Sequence, residues 1–216
     1  MKFRALEPHE IEVRVSRCTK NGAFFLLYKD ARCDQSILDE TVGEMGWQRR
    51  HEEHKGNLFC SVGIRDNDTG EWVWKEDAGS ESNTEAEKGH ASDSFKRACF
   101  NWGIGRELYT KINIFIKGLT KDSGKKDKYG RPIYELTDPY IKFHVSAIDT
   151  DNGEKKIKYL QISDAQGTVA YEWGKKPDYK CCICGKTIEP SIYTKSMHVN
   201  GKPYCSGTCK SKDGAK

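Results

Sequence analysis

Residues 76–109 read EDAGSESNTEAEKGHASDSFKRACFNWGIGRELY, and how this stretch is divided decides the fold. A helix is expected from about Ser82, because Ser82 with Glu85, or Thr84 with Glu87, has the spacing of a capping box. Ala91, Phe95, Ala98 and Trp102 then recur at i, i+4, i+7 and i+11, one apolar stripe on a polar helix. Gly103 and Gly105 break it, and RELYTK restarts a shorter helix. Just upstream, residues 58–65 (LFCSVGIR) read as a strand, DNDTG at 66–70 as a turn, and EWVWKEDAG at 71–79 as the returning strand of a hairpin.

Farther out the signals are coarser. Residues 23–28 (AFFLLY) are an apolar run that fits a strand or the packed start of a helix. Ile37, Leu38 and Val42 take helical spacing within 31–45, with Gly43 or Gly46 as the stop, while Gln48 to His54 alternates poorly. Residues 120–131 (TKDSGKKDKYGR) are expected to be a solvated, lysine-rich loop, with a grip on a nucleic acid by its lysines as the less favoured reading. Strands follow at 140–148 and 156–162, joined through DTDNGE. The order is helix–β–β–α–α–β–β, an α+β domain with an antiparallel sheet packed against helices, and there is no internal repeat. We expect a main domain over 1–173, a linker over 174–180 and a small C-terminal module over 181–216.

The 216 residues suit one medium domain with an appendage. No segment approaches ~18 consecutive apolar residues, so no membrane partner is expected. MKFRALEPHE lacks a signal-peptide core, which points to a cytosol. The net charge of +4 is uneven: residues 174–216 hold nine lysines and three acids, so the first 173 residues carry −2. Nucleic-acid binding by the main domain therefore needs cations gathered on one face. Nothing matches the pattern G-x-x-x-x-G-K-S/T, so no nucleotide-driven step is expected.

Ser92, Asp93, Phe95, Lys96, Arg97, Ala98, Gly103, Gly105, Leu108 and Tyr109 form a run of the type S/T-D-x-L/F-K-R-A, then a glycine-rich break, then Leu-Tyr. This resembles the core motif of the Rad52/22 family of strand-annealing proteins, including bacteriophage relatives. Tyr28 and a helix ending at Gly46-Trp47 match the segment before that family's sheet. The likeness covers roughly residues 10–115. It implies an oligomeric ring that holds single-stranded DNA in a basic groove, phosphates inward and bases outward, without bond-breaking catalysis. It also implies a role in homologous recombination and double-strand break repair, a single-strand-binding protein as partner, and, for a phage protein, the bacterial host cytoplasm.

By the same match Lys96 and Arg97 are the phosphate contacts. On an ideal helix they lie ~100° and ~200° from Phe95, off the buried stripe. The resemblance also places one arginine near the N-terminus in the groove, and both Arg14 and Arg17 qualify. Arg49 and Arg50 either extend the groove or are exposed strand charges. Trp102 continues the apolar stripe and is read as core, Trp72 and Trp74 stay open as base-stacking residues, and Lys88 is read as snorkelling. A nuclease using Asp77, Glu85, Glu87 and Asp93 is the weakest reading, since caps and surface charge account for these acids.

Of nine cysteines, Cys18, Cys33, Cys60 and Cys99 are scattered and read as small buried hydrophobes. The other five form C-x2-C (Cys181, Cys184), twenty residues, then C-x3-C (Cys205, Cys209), with Cys182 or His198 as substitute ligands. Two close thiolate pairs suit structural Zn2+ in a ribbon or treble-clef finger. About 35 residues have too little core to fold without it. This module departs from the family pattern. It leaves a second reading: a zinc-finger nucleic-acid-binding or adaptor protein without annealing activity.

Overall fold

The computed structural model describes residues 1–79, 86–151 and 153–214, without the side chains of residues 86–89, 191, 194 and 198. Both capping-box pairs expected at the helix start, and the side chain of Lys88, lie outside the described residues. In chain order the elements are β1 (Glu12–Thr19), β2 (Gly22–Tyr28), α1 (Ala31–Val42), β3 (Trp47–His54), β4 (Asn57–Arg65), β5 (Trp72–Ala78) and α2 (Ala86–Trp102). There follow β6 (Ile114–Lys117), β7 (Thr120–Lys126), β8 (Pro132–Leu136), β9 (Phe143–Asp151), β10 (Lys156–Asp164), β11 (Val169–Gly174), α3 (Pro190–Asn200) and α4 (Gly207–Asp213). The fold class is α+β with antiparallel sheets, but the expected element order lacks several strands. The chain divides into two compact units, Met1–Ala5 with Lys29–Arg106, and Leu6–Tyr28 with Glu107–Lys216. Residues 1–173 thus contribute to both, and the cysteine cluster is grouped with the second.

The first unit is built on the antiparallel sheet β3-β4-β5. Strand alternation turns Cys60, Val62 and Ile64 of β4 toward α2, where all three are buried with Phe95, Ala98 and Cys99. The helix stripe read from sequence is this contact, and Trp102 closes it by donating its indole N–H to the Val62 carbonyl (2.9 Å). Gly63, on the opposite face, is obligatory, because a Cβ there would sit 2.8 Å from the Trp74 ring. Helix α1 starts at Asp30, whose carboxylate accepts from Arg32 N (2.7 Å), and stops at Gly43. The expected RELYTK helix is a single 3-10 turn, Arg106–Tyr109.

A buried ion pair sits under α1: the ammonium of Lys29 donates to both carboxylate oxygens of Asp34. Asp34 is inaccessible and the Lys29 side chain is only 8% exposed. The Lys29 stem lies so close to Gly105 that a Cβ there would be 2.4 Å from its Cε, and Gly105 has φ +71. The second glycine of the break is therefore fixed by steric approach as well as by backbone conformation. Asp34→Ala leaves a buried ammonium without a partner and is expected to destabilise the protein by about 3–5 kcal/mol. Urea unfolding measures this, and a loss below about 1 kcal/mol would show that the pair is dispensable.

The second unit holds a six-stranded antiparallel sheet in the order β11-β10-β9-β1-β2-β6. The AFFLLY run is strand β2, with Ala23 and Phe25 buried. Elsewhere in this sheet Ile114, Ile116, Val145, Ala147, Ile148, Ile157, Tyr159, Leu160 and Ile162 are buried as well. The two sheet ends approach each other, since Tyr171 on β11 donates its phenol O–H to the Asn113 carbonyl just before β6 (3.0 Å). The stretch 120–131, expected as a loop, instead forms most of the β7–β8 hairpin. Strand alternation there carries no apolar residues, so the sequence gives no periodic signal for it. Helix α3 packs on β9, and its Tyr193 ring meets Tyr179 edge-to-face at 5.1 Å. No helix among the described residues is long and apolar enough to cross a membrane.

Candidate nucleic-acid interface and metal centre

Lys96 and Arg97 follow Phe95 around α2, so burying Phe95 against β4 forces both cations away from the core. Lys96 is half-buried and Arg97 exposed. Among the described residues no carboxylate lies within 4.0 Å of Lys96, yet its charge reaches Asp34. Burial pushes the Asp34 carboxyl up to about 6, against the opposing pull of Lys29 first and then Lys96. Arg97 is held differently, with its Nε 3.2 Å from Asp77 on β5. Asp77 also accepts from Ala78 N (2.8 Å) and from the Asn101 amide (3.4 Å). The guanidinium thus lies along the sheet edge, 45% exposed. Lys75, two residues earlier on β5, caps the C-terminal end of α2 by donating to the Asn101 carbonyl (3.0 Å), with its ammonium 4.4 Å from the Trp102 ring centre.

Alternation on β3 separates the two arginines that sequence left paired. Arg49 shares the α2 side with Trp47 and His51, its guanidinium 4.7 Å over the Phe95 ring. Arg50 points to the opposite face, 4.4 Å over Trp74 and 3.6 Å from Glu52. Trp72 and Trp74 lie on that same face with ring centres 6.2 Å apart. The poor alternation of residues 48–54 has a physical cause. This edge strand covers Phe95 with Trp47 and the stem of Arg49 rather than with aliphatic side chains.

Arg14 and Arg17, in the other unit, are both exposed on β1. A bulge between Val15 and Arg17 pairs Arg14 with Leu26 and Arg17 with Phe24, so the two arginines share one face despite their odd separation. Arg14 lies 5.1 Å over Tyr28 and is paired with Glu12, and Arg17 lies 4.8 Å over Phe24. No sequence signal reveals a bulge built from non-glycine residues, and this one leaves both arginines in place as candidates.

Cys181, Cys184, Cys205 and Cys209 converge, their sulfurs all within 4.8 Å of one another. Cys184–Cys205 and Cys205–Cys209 are each 3.5 Å apart. Four thiolates at ~2.3 Å from a central ion would stand ~3.8 Å apart, so the set fits a tetrahedral cation. Backbone N–H groups of Cys184, Ile183 and Cys205 point at the Cys181 sulfur and hold its thiol down to about 6. Cys205, hemmed in by Cys184 and Cys209, is pushed up to about 12. The cluster cannot carry four negative charges unless a cation joins it. Gly185, with φ +71, makes the turn that returns its N–H to the Cys181 carbonyl (2.9 Å). Ser206 caps α4 by accepting from Cys209 N (3.3 Å), which brings the last thiol inward. Cys182 is exposed and outside the group, and the side chain of His198 lies outside the described residues. Among the described residues no carboxylates gather as a metal site, and Glu85 and the Glu87 side chain lie outside them.

A family model described as Rad52/22 family double-strand break repair protein matches residues 4–127. The chain belongs to this family. No curated protein and no solved structure matches it. The Rad52/22 match takes in Arg14, Arg17, Arg49, Arg50, Lys96 and Arg97, and ends well before the cysteine cluster. Membership places the protein in DNA repair and recombination. Sequence reading missed Lys29–Asp34, Lys75 and the Asp77–Arg97 pair. Lys29 and Asp34 look like ordinary charges flanking a helix start, and the reach of α2 residues to β5 is a tertiary fact.

Proposed function

We propose that this protein binds single-stranded DNA through Lys96 and Arg97 and anneals complementary strands without ATP, as an oligomeric ring acting in homologous recombination. The observation that carries this reading is the placement of two adjacent cations off the face of α2 that packs on β4, Arg97 exposed and Lys96 half-buried, within the family-matched region. Phosphates held by Lys and Arg bind a strand whatever its sequence. A strand gripped by its backbone keeps its base edges free to find a complement, so annealing needs no nucleotide hydrolysis. Arg14 and Arg17 on β1, and Arg49 beside Phe95, supply further contacts, and a single-strand-binding protein presents the strand. Such a protein is not a bond-breaking enzyme.

The cysteine centre is proposed to hold Zn2+, which four thiolates in tetrahedral array favour. Bound there, the ion supplies folding free energy and no chemistry on DNA. In the alternative reading the zinc module is the nucleic-acid or adaptor element and the Rad52/22 domain does not anneal.

The test is annealing of two complementary labelled oligonucleotides without ATP or magnesium over a salt series. Acceleration that fades as salt rises is expected. Single-strand binding with no acceleration at any salt would favour the adaptor reading.

A further inference from the structure

The β7–β8 hairpin has an architecture that fold stability does not explain. No residue from Lys121 to Glu135 is buried, and a two-stranded ribbon without an apolar face is marginal in water. At its base Thr120 Oγ1 donates to the Thr19 carbonyl (2.7 Å) and Thr137 N to the Leu119 carbonyl (2.8 Å), and β8 lies against β1. Its free end carries Lys125, Lys126, Lys128 and Arg131 around Tyr129, which is 69% exposed. The Lys128 ammonium and the Arg131 guanidinium lie 5.0 and 5.1 Å from the centre of that ring.

The acids of the hairpin are each engaged. Asp127 accepts from Tyr129 N (2.8 Å), Arg131 N (3.0 Å) and Arg131 Nε (2.8 Å), which builds the turn and holds its carboxyl below the usual range. Asp122 accepts from Gly124 N (2.8 Å), and Glu135 pairs with Lys121 (3.4 Å). Among the described residues Lys125, Lys126 and Lys128 have no carboxylate within 4.0 Å. Residues 120–136 hold five basic and three acidic side chains, a surplus of +2, whereas the rest of residues 1–173 carries −4. The geometry points to a second nucleic-acid contact: we propose that the tip of the β7–β8 hairpin grips the phosphates of a DNA strand with its three unpaired lysines while Tyr129 stacks on a base. An aromatic ring flanked by cations answers both the charge and the flat faces of a single strand. The sequence reading weighed a DNA grip by these lysines and preferred a solvated loop, and residues 128–136 lie beyond the family match.

This proposal rests on the DNA-binding reading, and the experiment separates the two. Binding of a labelled oligo-dT is measured over a salt series for the full chain, for Lys125→Ala/Lys126→Ala/Lys128→Ala, and for Tyr129→Ala. None of these side chains is buried, so circular dichroism should be unchanged. Three lost phosphate contacts should reduce the slope of log affinity against log salt by about 2, from ~0.7 per contact on single strands. Tyr129→Ala should weaken binding roughly five-fold or more with the slope kept. If the wild type binds and the triple variant keeps its affinity and slope, the hairpin contact is overturned while DNA binding stands. The same holds if that variant instead loses only its binding to an acidic peptide. If the wild type does not bind the oligonucleotide at all, both readings fall.

Discussion

Lys96→Glu combined with Arg97→Glu is expected to abolish strand annealing while leaving the protein folded. Two charge-assisted phosphate contacts contribute about 3–6 kcal/mol, from roughly 1.5–3 each, which corresponds to a loss of about 10²–10⁴ in affinity for a single strand. Reversing the charges adds repulsion from the phosphates. The salt slope should fall by about 1.4, since each contact on a single strand accounts for ~0.7. Folding should survive because neither side chain belongs to the Phe95–Ala98–Cys99 face that packs on β4. Arg97→Glu does place a carboxylate beside Asp77, 3.2 Å from the present guanidinium nitrogen, so Lys96→Ala with Arg97→Ala serves as the gentler control. Annealing that persists in both double variants at moderate salt would remove these residues from the groove and shift attention to Arg14, Arg17 and Arg49.

Removing the metal is expected to have the largest effect on stability. If the thiol cluster holds zinc as proposed, Cys181→Ser with Cys205→Ser, or incubation with a strong chelator, should strip one metal ion per chain and unfold residues 179–213 cooperatively. Apparent binding free energies of small zinc modules are about 10–16 kcal/mol, and for so few residues that energy is the folding energy. The described core of the module is Cys181, Ile188, Tyr204 and Cys209, so two of its four buried members belong to the thiol cluster itself. Elemental analysis measures the metal, and limited proteolysis in the lysine-rich segment reports the unfolding. A module that stays protease-resistant with no metal bound would show that Tyr204, Ile188 and the α3–β9 contact suffice without the ion. Because α3 packs on β9, truncation is a poorer test than ligand substitution: removing residues 181–216 would take Tyr193 away and uncover Tyr179 and the strand beneath together.

The parts of the candidate site that were legible in the sequence share a cause: each is written in local spacing. The stripe Ala91–Phe95–Ala98–Trp102 predicted which way α2 faces, and hence that Lys96 and Arg97 face away. The C-x2-C and C-x3-C pairs predicted the four sulfurs that meet. The strand–turn–strand signal over 58–79 predicted β4 and β5. Strands β1, β6, β7, β8 and β11 were missed: β6 and β8 span only four and five residues, the other three have charged or irregular exposed faces, and a strand held by pairing rather than by its own apolar alternation leaves little periodic trace.

By itself, then, the sequence determined the α+β class, the Rad52/22 resemblance, the helix that carries the two cations and the two cysteine pairs whose spacing suits a metal, because hydrophobic periodicity and ligand spacing act over a few residues. Only the tertiary structure decided the rest. It paired Arg97 with Asp77 across twenty residues, buried Lys29 with Asp34 against Gly105, and used a β-bulge to turn Arg14 and Arg17 to one face. It placed Cys181 rather than Cys182 in the thiol cluster and raised a basic hairpin where a loop was expected. Each of these depends on which groups lose water together and which strand supplies the neighbour, and such long-range choices have no spacing rule in the chain.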